Sequence, residues 1–119
     1  MAAIQQSLEE LLTLDGAMAS ALVDANSGML MGQAGAGVDL ELAAAGNTEV
    51  VRAKIKTMKS LDLNDVIEDM LITLGKQYHI IRPIVKHEGV FLYYVLDKVK
   101  ANLALARRKL QDVESKLAI

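Results

Sequence analysis

The amino-acid sequence predicts an α/β sandwich of the α+β class. Its core is a five-stranded antiparallel sheet with helices on both faces, in the order α-β-β-α-β-β-β-α. Three observations lead there. Apolar residues recur with helical period in three separate stretches, five short apolar runs lie between and beside them, and polar or glycine-rich turns join most of the runs. At 119 residues, with 52% hydrophobic and 24% charged residues, the chain reads as one globular domain spanning residues 1–119. A chain of that length buries roughly 65% of the surface it exposes when unfolded, so it needs no metal or disulfide staple.

The first stretch sets Ile4, Leu8, Leu11, Leu12 and Leu14 mostly on one side of a helix, opposed by Gln5, Gln6, Glu9 and Glu10, with Gly16 as its stop. Residues 17–23 are small and apolar on both faces, as in a strand covered by helices. Asp24, Asn26, Ser27 and Gly28 supply a turn, and residues 29–32 return as the second strand of a hairpin. Asp39 then caps a helix over residues 40 to about 60, with apolar positions Leu40, Ala43, Ala44, Val50, Val51, Ile55 and Met58. Gly46 and Asn47 interrupt this stripe, at a kink or a close approach of another backbone.

Three further apolar runs, residues 66–74, 77–85 and 90–96, form a meander with turns at Gly75 and Lys76 and at residues 87–89. The last of them has no polar residue except two tyrosines and belongs in the middle of the sheet. Glu68 and Asp69 in the first run, and Pro83 in the second, place those strands at or near an edge. Residues 98–119 close the chain as a helix with one apolar seam, Leu103, Ala106, Leu110, Val113 and Leu117.

The sequence argues against most kinds of site. Residues 31–39, MGQAGAGVD, space their glycines as GxxGxG, which is neither the dinucleotide fingerprint nor the phosphate-loop pattern, and contain no lysine. Asp39 occupies the helix N-terminus where an anion would sit, and at ~5 Å and an effective dielectric of ~20 it would repel a phosphate charge by roughly 3 kcal/mol. His79 and His87 lack further metal ligands, and the absence of cysteine removes thiolate sites and thiol nucleophiles. No serine has a nucleophile context, and none of Arg52, Arg82, Arg107 and Arg108 is singled out as an arginine finger. Met18, Met58 and Met70 fall on apolar faces as core residues.

A net charge of -2, a single Phe and no Trp offer nucleic acid neither a field nor a stacking surface. Residues 1–16 carry three acidic residues and do not read as a signal peptide, and no apolar run approaches the ~20 residues of a membrane span. The expectation is a cytoplasmic, non-enzymatic protein with no cofactor, no nucleic-acid partner and no membrane insertion.

With the order of elements in hand, residues 19–35 (ASALVDANSGMLMGQAG) resemble the opening hairpin of the Roadblock/LC7 family, in which an apolar strand ends in Asp and a polar turn ends in Gly. The long helix, the meander containing YHIIRPIV (residues 78–85) and FLYYVLD (residues 91–97), and the closing helix follow in that family's order. A bacterial stand-alone member with its profilin-like fold is implied. So is a small dimeric scaffold or regulator of Ras-like GTPases, a class that includes partners of gliding-motility GTPases and dynein light chains.

In such dimers the helix after the hairpin packs on its symmetry mate and the next strand pairs across the two-fold axis. Carried to this sequence, the interface is Leu40, Ala43, Ala44, Gly46, Val50, Val51, Ile55 and Met58 on the helix and Val66, Glu68, Met70 and Ile72 on the strand. The basic start of the last helix, Lys98, Lys100, Arg107 and Arg108, is the candidate docking surface for a partner. A competing expectation is a small-molecule sensor, with a cavity between sheet and helix left open by the small side chains of Ala17, Ala19 and Ala21.

Overall fold

The computed structural model describes residues 3–119, and the eight expected elements occur in the expected order. They are α1 (Ile4–Leu11), β1 (Ala17–Asp24), β2 (Met29–Gly35), α2 (Leu40–Ser60), β3 (Met70–Thr73), β4 (Gln77–Pro83), β5 (Val90–Asp97) and α3 (Leu103–Lys116). The strands pair antiparallel throughout, in the order β2-β1-β5-β4-β3. As the run of apolar residues predicts, β5 is central, with every residue from Phe91 to Leu96 buried.

Alternation along β5 feeds two cores. Leu92, Tyr94 and Leu96 pack with Leu8 and Leu11 of α1 and with Ala106, Leu110 and Val113 of α3. On the opposite face Phe91, Tyr93 and Val95 pack with Leu40, Ala44 and Val51 of α2, across Ala19, Ala21 and Val23 of β1. Two buried polar groups tie α1 to the sheet: Ser20 donates to the Leu8 carbonyl at 2.8 Å, and the Tyr94 hydroxyl donates to the Leu11 carbonyl. Burial raises the pKa of that hydroxyl, so it stays a donor.

The glycines after the hairpin act differently from the expectation. β2 runs to Gly35 rather than stopping at Gly32, because the glycines admit neighbours that a side chain would exclude. A Cβ on Gly32 would lie 2.7 Å from Ile4 Cγ2 of α1, and one on Gly35, where φ is +84°, would lie 2.2 Å from the Met18 carbonyl oxygen. The chain then turns, and the Asp39 carboxylate accepts from the Leu42 amide at 3.1 Å, so the α2 N-terminus is capped from within.

Three further boundaries move, and an expected interruption is absent. α1 stops at Leu11, where the Thr13 hydroxyl bonds the Glu10 carbonyl at 2.7 Å in the following turn, and Gly16 instead serves that turn with φ +86°. α2 is unbroken through Gly46 and Asn47, so neither a kink nor an interruption occurs there. β3 starts only at Met70, since residues 63–69 make no ladder and the Asp65 carboxylate takes the Val66 amide. α3 starts at Leu103 behind an Asn102 cap, which leaves Lys98 and Lys100 in the preceding turn.

Gly35→Ala is expected to destabilise the domain by about 2–4 kcal/mol through backbone strain and the clash with Met18. Urea unfolding checks this, with an unchanged midpoint counting against the close-packed hairpin exit.

Candidate functional site

A sheet of five strands at ~4.8 Å spacing is ~19 Å wide between its outer strand axes, whereas one helix with its side chains is about 10–12 Å across. α1 and α3 both cover one face. The other face has α2 alone, packed chiefly against β2 and β1; on the β4 and β3 half Ile81 and Met70 still join the core beneath α2, whereas Gln77, His79 and Ile72 are only half-buried.

The buried residues of α2 are Leu40, Ala44, Thr48 and Val51, which share one side of the helix. Arg52, on one flank of that side, donates to the Asn26 carbonyl at 2.7 Å in the β1–β2 turn; Asn47, on the other flank, lies near the Tyr93 side chain of β5. Beyond Asn47 on that second flank come Ala43, Gly46, Val50, Ala53, Thr57 and, just past the helix, Leu61. They form a strip that runs from that flank to the back of the helix. Val50 is 41% exposed and Leu61 is 61% exposed, and a Cβ on Gly46 would meet nothing within 4 Å.

The twelve expected interface residues thus separate. Leu40, Ala44 and Val51 are committed to the chain's own core and the half-buried Ala43 packs at its margin, while Gly46 and Val50 are exposed. Ile55 and Met58 come after the last buried residue of α2, with Ile55 exposed and Met58 half-buried. Met70 and Ile72 are half-buried on β3, the edge of the sheet. Val66 and Glu68 are not strand residues at all: they are exposed in the connector, with Val66 at 77%. Ala53 and Thr57 do not stand out in the sequence because their small or polar side chains break the apolar period, and Leu61 because it lies beyond the helix end at Ser60.

A hydrogen-bonded chain crosses the less covered half of that face. The Tyr93 hydroxyl lies 2.9 Å from Nδ1 of His79, and Nε2 of His79 lies 2.8 Å from Oε1 of Gln77. Since Oε1 only accepts, Nε2 carries the proton and Nδ1 accepts from Tyr93. Desolvation lowers the His79 pKa from 6.5 and raises that of Tyr93, with the nearby Asn47 side chain acting the other way on the tyrosine. The alternation of β4 puts Gln77 and His79 on one face, a signal available in the sequence but without an evident partner.

The basic residues do not form one surface. Arg107 makes two bonds to Asp69, at 3.0 and 3.3 Å, which ties α3 to the start of β3. Arg108 is exposed, and Lys98 and Lys100 stand apart in the turn, beside Lys76, whose carbonyl accepts from the Lys98 amide at 3.0 Å. Arg82 pairs with Glu114 at 2.6 Å where both side chains are largely buried, and the other Glu114 oxygen accepts from the Val85 amide at 2.9 Å.

His87, far from His79 in role, contacts the Ile119 carbonyl at 2.9 Å. The described residues contain no group of three or more acidic or histidine side chains that could hold a metal ion. No helix among them is long and apolar enough to cross a membrane.

Space for a small molecule does not lie where the alanines of β1 predict it. Ala19 and Ala21 are fully buried beneath Leu40, Ala44 and Val51, so the small side chains let α2 approach closely. A cleft of about 480 Å³ instead opens between the β4–β5 loop and the end of α3, lined by Val85, His87, Glu114 and Leu117 among others.

No family model and no curated protein matches the sequence. Solved structures match over nearly the whole chain. A Roadblock/LC7 domain from Streptomyces avermitilis superposes with a TM-score of 0.84 at 9% identity, covering 97% of this chain and 94% of that one. MglB of Myxococcus xanthus gives 0.76 at 19% identity over 95% and 86% of the two chains. The gliding protein MglB of Thermus thermophilus gives 0.71 at 19% identity over 93% and 87%. The chain has the Roadblock/LC7 fold, as the resemblance of its hairpin and meander predicts.

Glu114→Gln strips the Arg82 guanidinium of its counter-charge in a largely buried setting and is expected to cost about 2–4 kcal/mol. Arg107→Ala, which breaks a more exposed pair, is expected to cost about 1 kcal/mol or less. Paired urea titrations distinguish the two, and equal losses would contradict this ranking.

Proposed function

We propose that the protein is a non-enzymatic interaction module that self-associates as a homodimer and, in that form, binds or regulates a small Ras-like GTPase. The observation that carries the dimer is the continuity of three features: the exposed strip on α2, the half-buried Gln77, His79 and Ile72 on the outer part of the sheet, and the unpaired edge of β3. A second copy related by a two-fold axis satisfies all three at once. Its α2 lies against Ala43, Gly46, Val50 and Ala53, whose small side chains permit close helix approach, and its β3 pairs with Met70–Thr73.

The GTPase part of the reading rests on the Roadblock/LC7 resemblance and on the likeness to MglB, which is described as a gliding protein in Thermus thermophilus. One structure of MglB is described as having a tetrameric arrangement, in keeping with a fold that self-associates. Lys98, Lys100 and Arg108 are the residues we assign to partner docking. Arg107 is less suited, being held by Asp69.

The interface should bury on the order of 1,600 Å² or more. Sedimentation velocity at micromolar concentration should return a dimer, and Val50→Arg, which drives a charge into the centre of the strip, should shift it to monomer without loss of helix content. A wild-type monomer would sink the dimer. For the partner, affinity capture from native lysate should recover a GTPase whose binding is lost when Lys98, Lys100 and Arg108 are reversed to Glu; recovery of none would count against that half of the reading.

A further inference from the structure

The hydrogen-bonded chain from Tyr93 to Gln77 lies on the part of the sheet that the proposed second copy would cover, and it has a titratable ring at its centre. We infer that His79 makes self-association pH-dependent, the dimer holding while the ring is neutral and dissociating as the ring takes up a proton. This rests on the dimer reading above.

The argument begins with position. His79 sits on β4, one strand in from the β3 edge, with Ile72 and Val95 as its ladder partners, so its side chain shares a face with Met70, Ile72 and Ile81. The ring is half-buried and meets Tyr93 edge-on, with centroids 5.5 Å apart and planes at 82°. A second protomer laid over this half would take away the remaining water on its exposed side.

The ring's two hydrogen-bond partners, Gln77 and Tyr93, are both uncharged near pH 7. From β5 it faces Tyr93 and Val95, from β4 Gln77 and Ile81, and from β3 Ile72, with Asn47 of α2 beside Tyr93 and Met18 of β1 beside Gln77. The acidic groups of the neighbouring segments are Asp97 and Asp69 at the strand ends, and Asp62, Asp65 and Glu68 in the connector that leads to β3. Asp97 spends its carboxylate on the Val99 and Lys100 amides, and Asp69 is held by Arg107. Lys54, two turns beyond Asn47 on the same side of α2, would oppose a second cation.

The sign follows from linkage. Burial already depresses the His79 pKa in the single protomer, and deeper burial in a dimer depresses it further. The dimer therefore binds fewer protons than the separated protomers, is favoured above the protomer pKa, and weakens as pH falls through it.

Sedimentation velocity at about pH 7.5 and about pH 5.5 tests this, with circular dichroism confirming that the fold survives at the lower value. The expected result is a dissociation constant at least about tenfold larger at the lower pH for the wild type, and a flat response for His79→Gln, which retains a donor and an acceptor but does not titrate. A wild-type dimer equally tight at both values overturns the inference and leaves the dimer standing, whereas a monomer at both values removes the dimer itself. Equal pH dependence in His79→Gln also overturns it. As a check independent of that variant, the His79 pKa measured by NMR should be higher in monomeric Val50→Arg than in the wild-type dimer, and identical values would refute the linkage.

Discussion

The burial of β5 on both faces is the constraint from which the rest of the molecule follows. Six consecutive residues, Phe91 to Leu96, lose their water, and their side chains divide by alternation between two cores. A strand so apolar cannot lie at an edge, so the hairpin β1–β2 is placed on one side of it and the hairpin β3–β4 on the other. It also obliges both faces to be covered, which is why a domain of this size has helices in two layers.

Cover is unequal, and the inequality is the source of the proposed function. Two helices shield one face and one shields the other, although both faces have the same width. The sheet beneath α2 is lined there by Ala19 and Ala21, against which α2 settles closely over β1 and β2, and the β4 and β3 half is left less covered. A second helix on that face would have closed it. Instead the chain crosses from α2 to β3 in an extended, acid-rich connector whose Leu61, Leu63 and Val66 stay exposed. Polar groups on that half, Tyr93, His79 and Gln77, satisfy one another, so the surface tolerates water in the single protomer and can still be buried.

How much of this could be read in advance differs by element. The order of elements, the central place of residues 90–96, the edge position of the strand after Asp69 and the Asp39 cap are local or periodic properties and were legible. The extent of β2 was not, because glycines that end a strand and glycines that admit a neighbour look alike until Ile4 and Met18 are in place. The apolar stripe of α2 read as one surface, yet it contains two: Leu40, Ala44 and Val51 turned to the sheet with Ala43 at their margin, and Gly46 and Val50 turned away from it. Likewise a run of basic residues late in the sequence became a turn, an ion pair and a single free arginine, since Asp69 is thirty-eight residues from Arg107 and its approach is set by the fold.

The sequence by itself determined the secondary elements, their order and which strand must be central, because these depend on the period and burial demand of contiguous residues. Tertiary structure alone decided which side of α2 is spent on the core, which part of the sheet stays only half-buried, and that Tyr93, His79 and Gln77 meet there. Those facts depend on widths, register and crossing positions between distant segments, and no local pattern encodes a distance between elements that have not yet been packed.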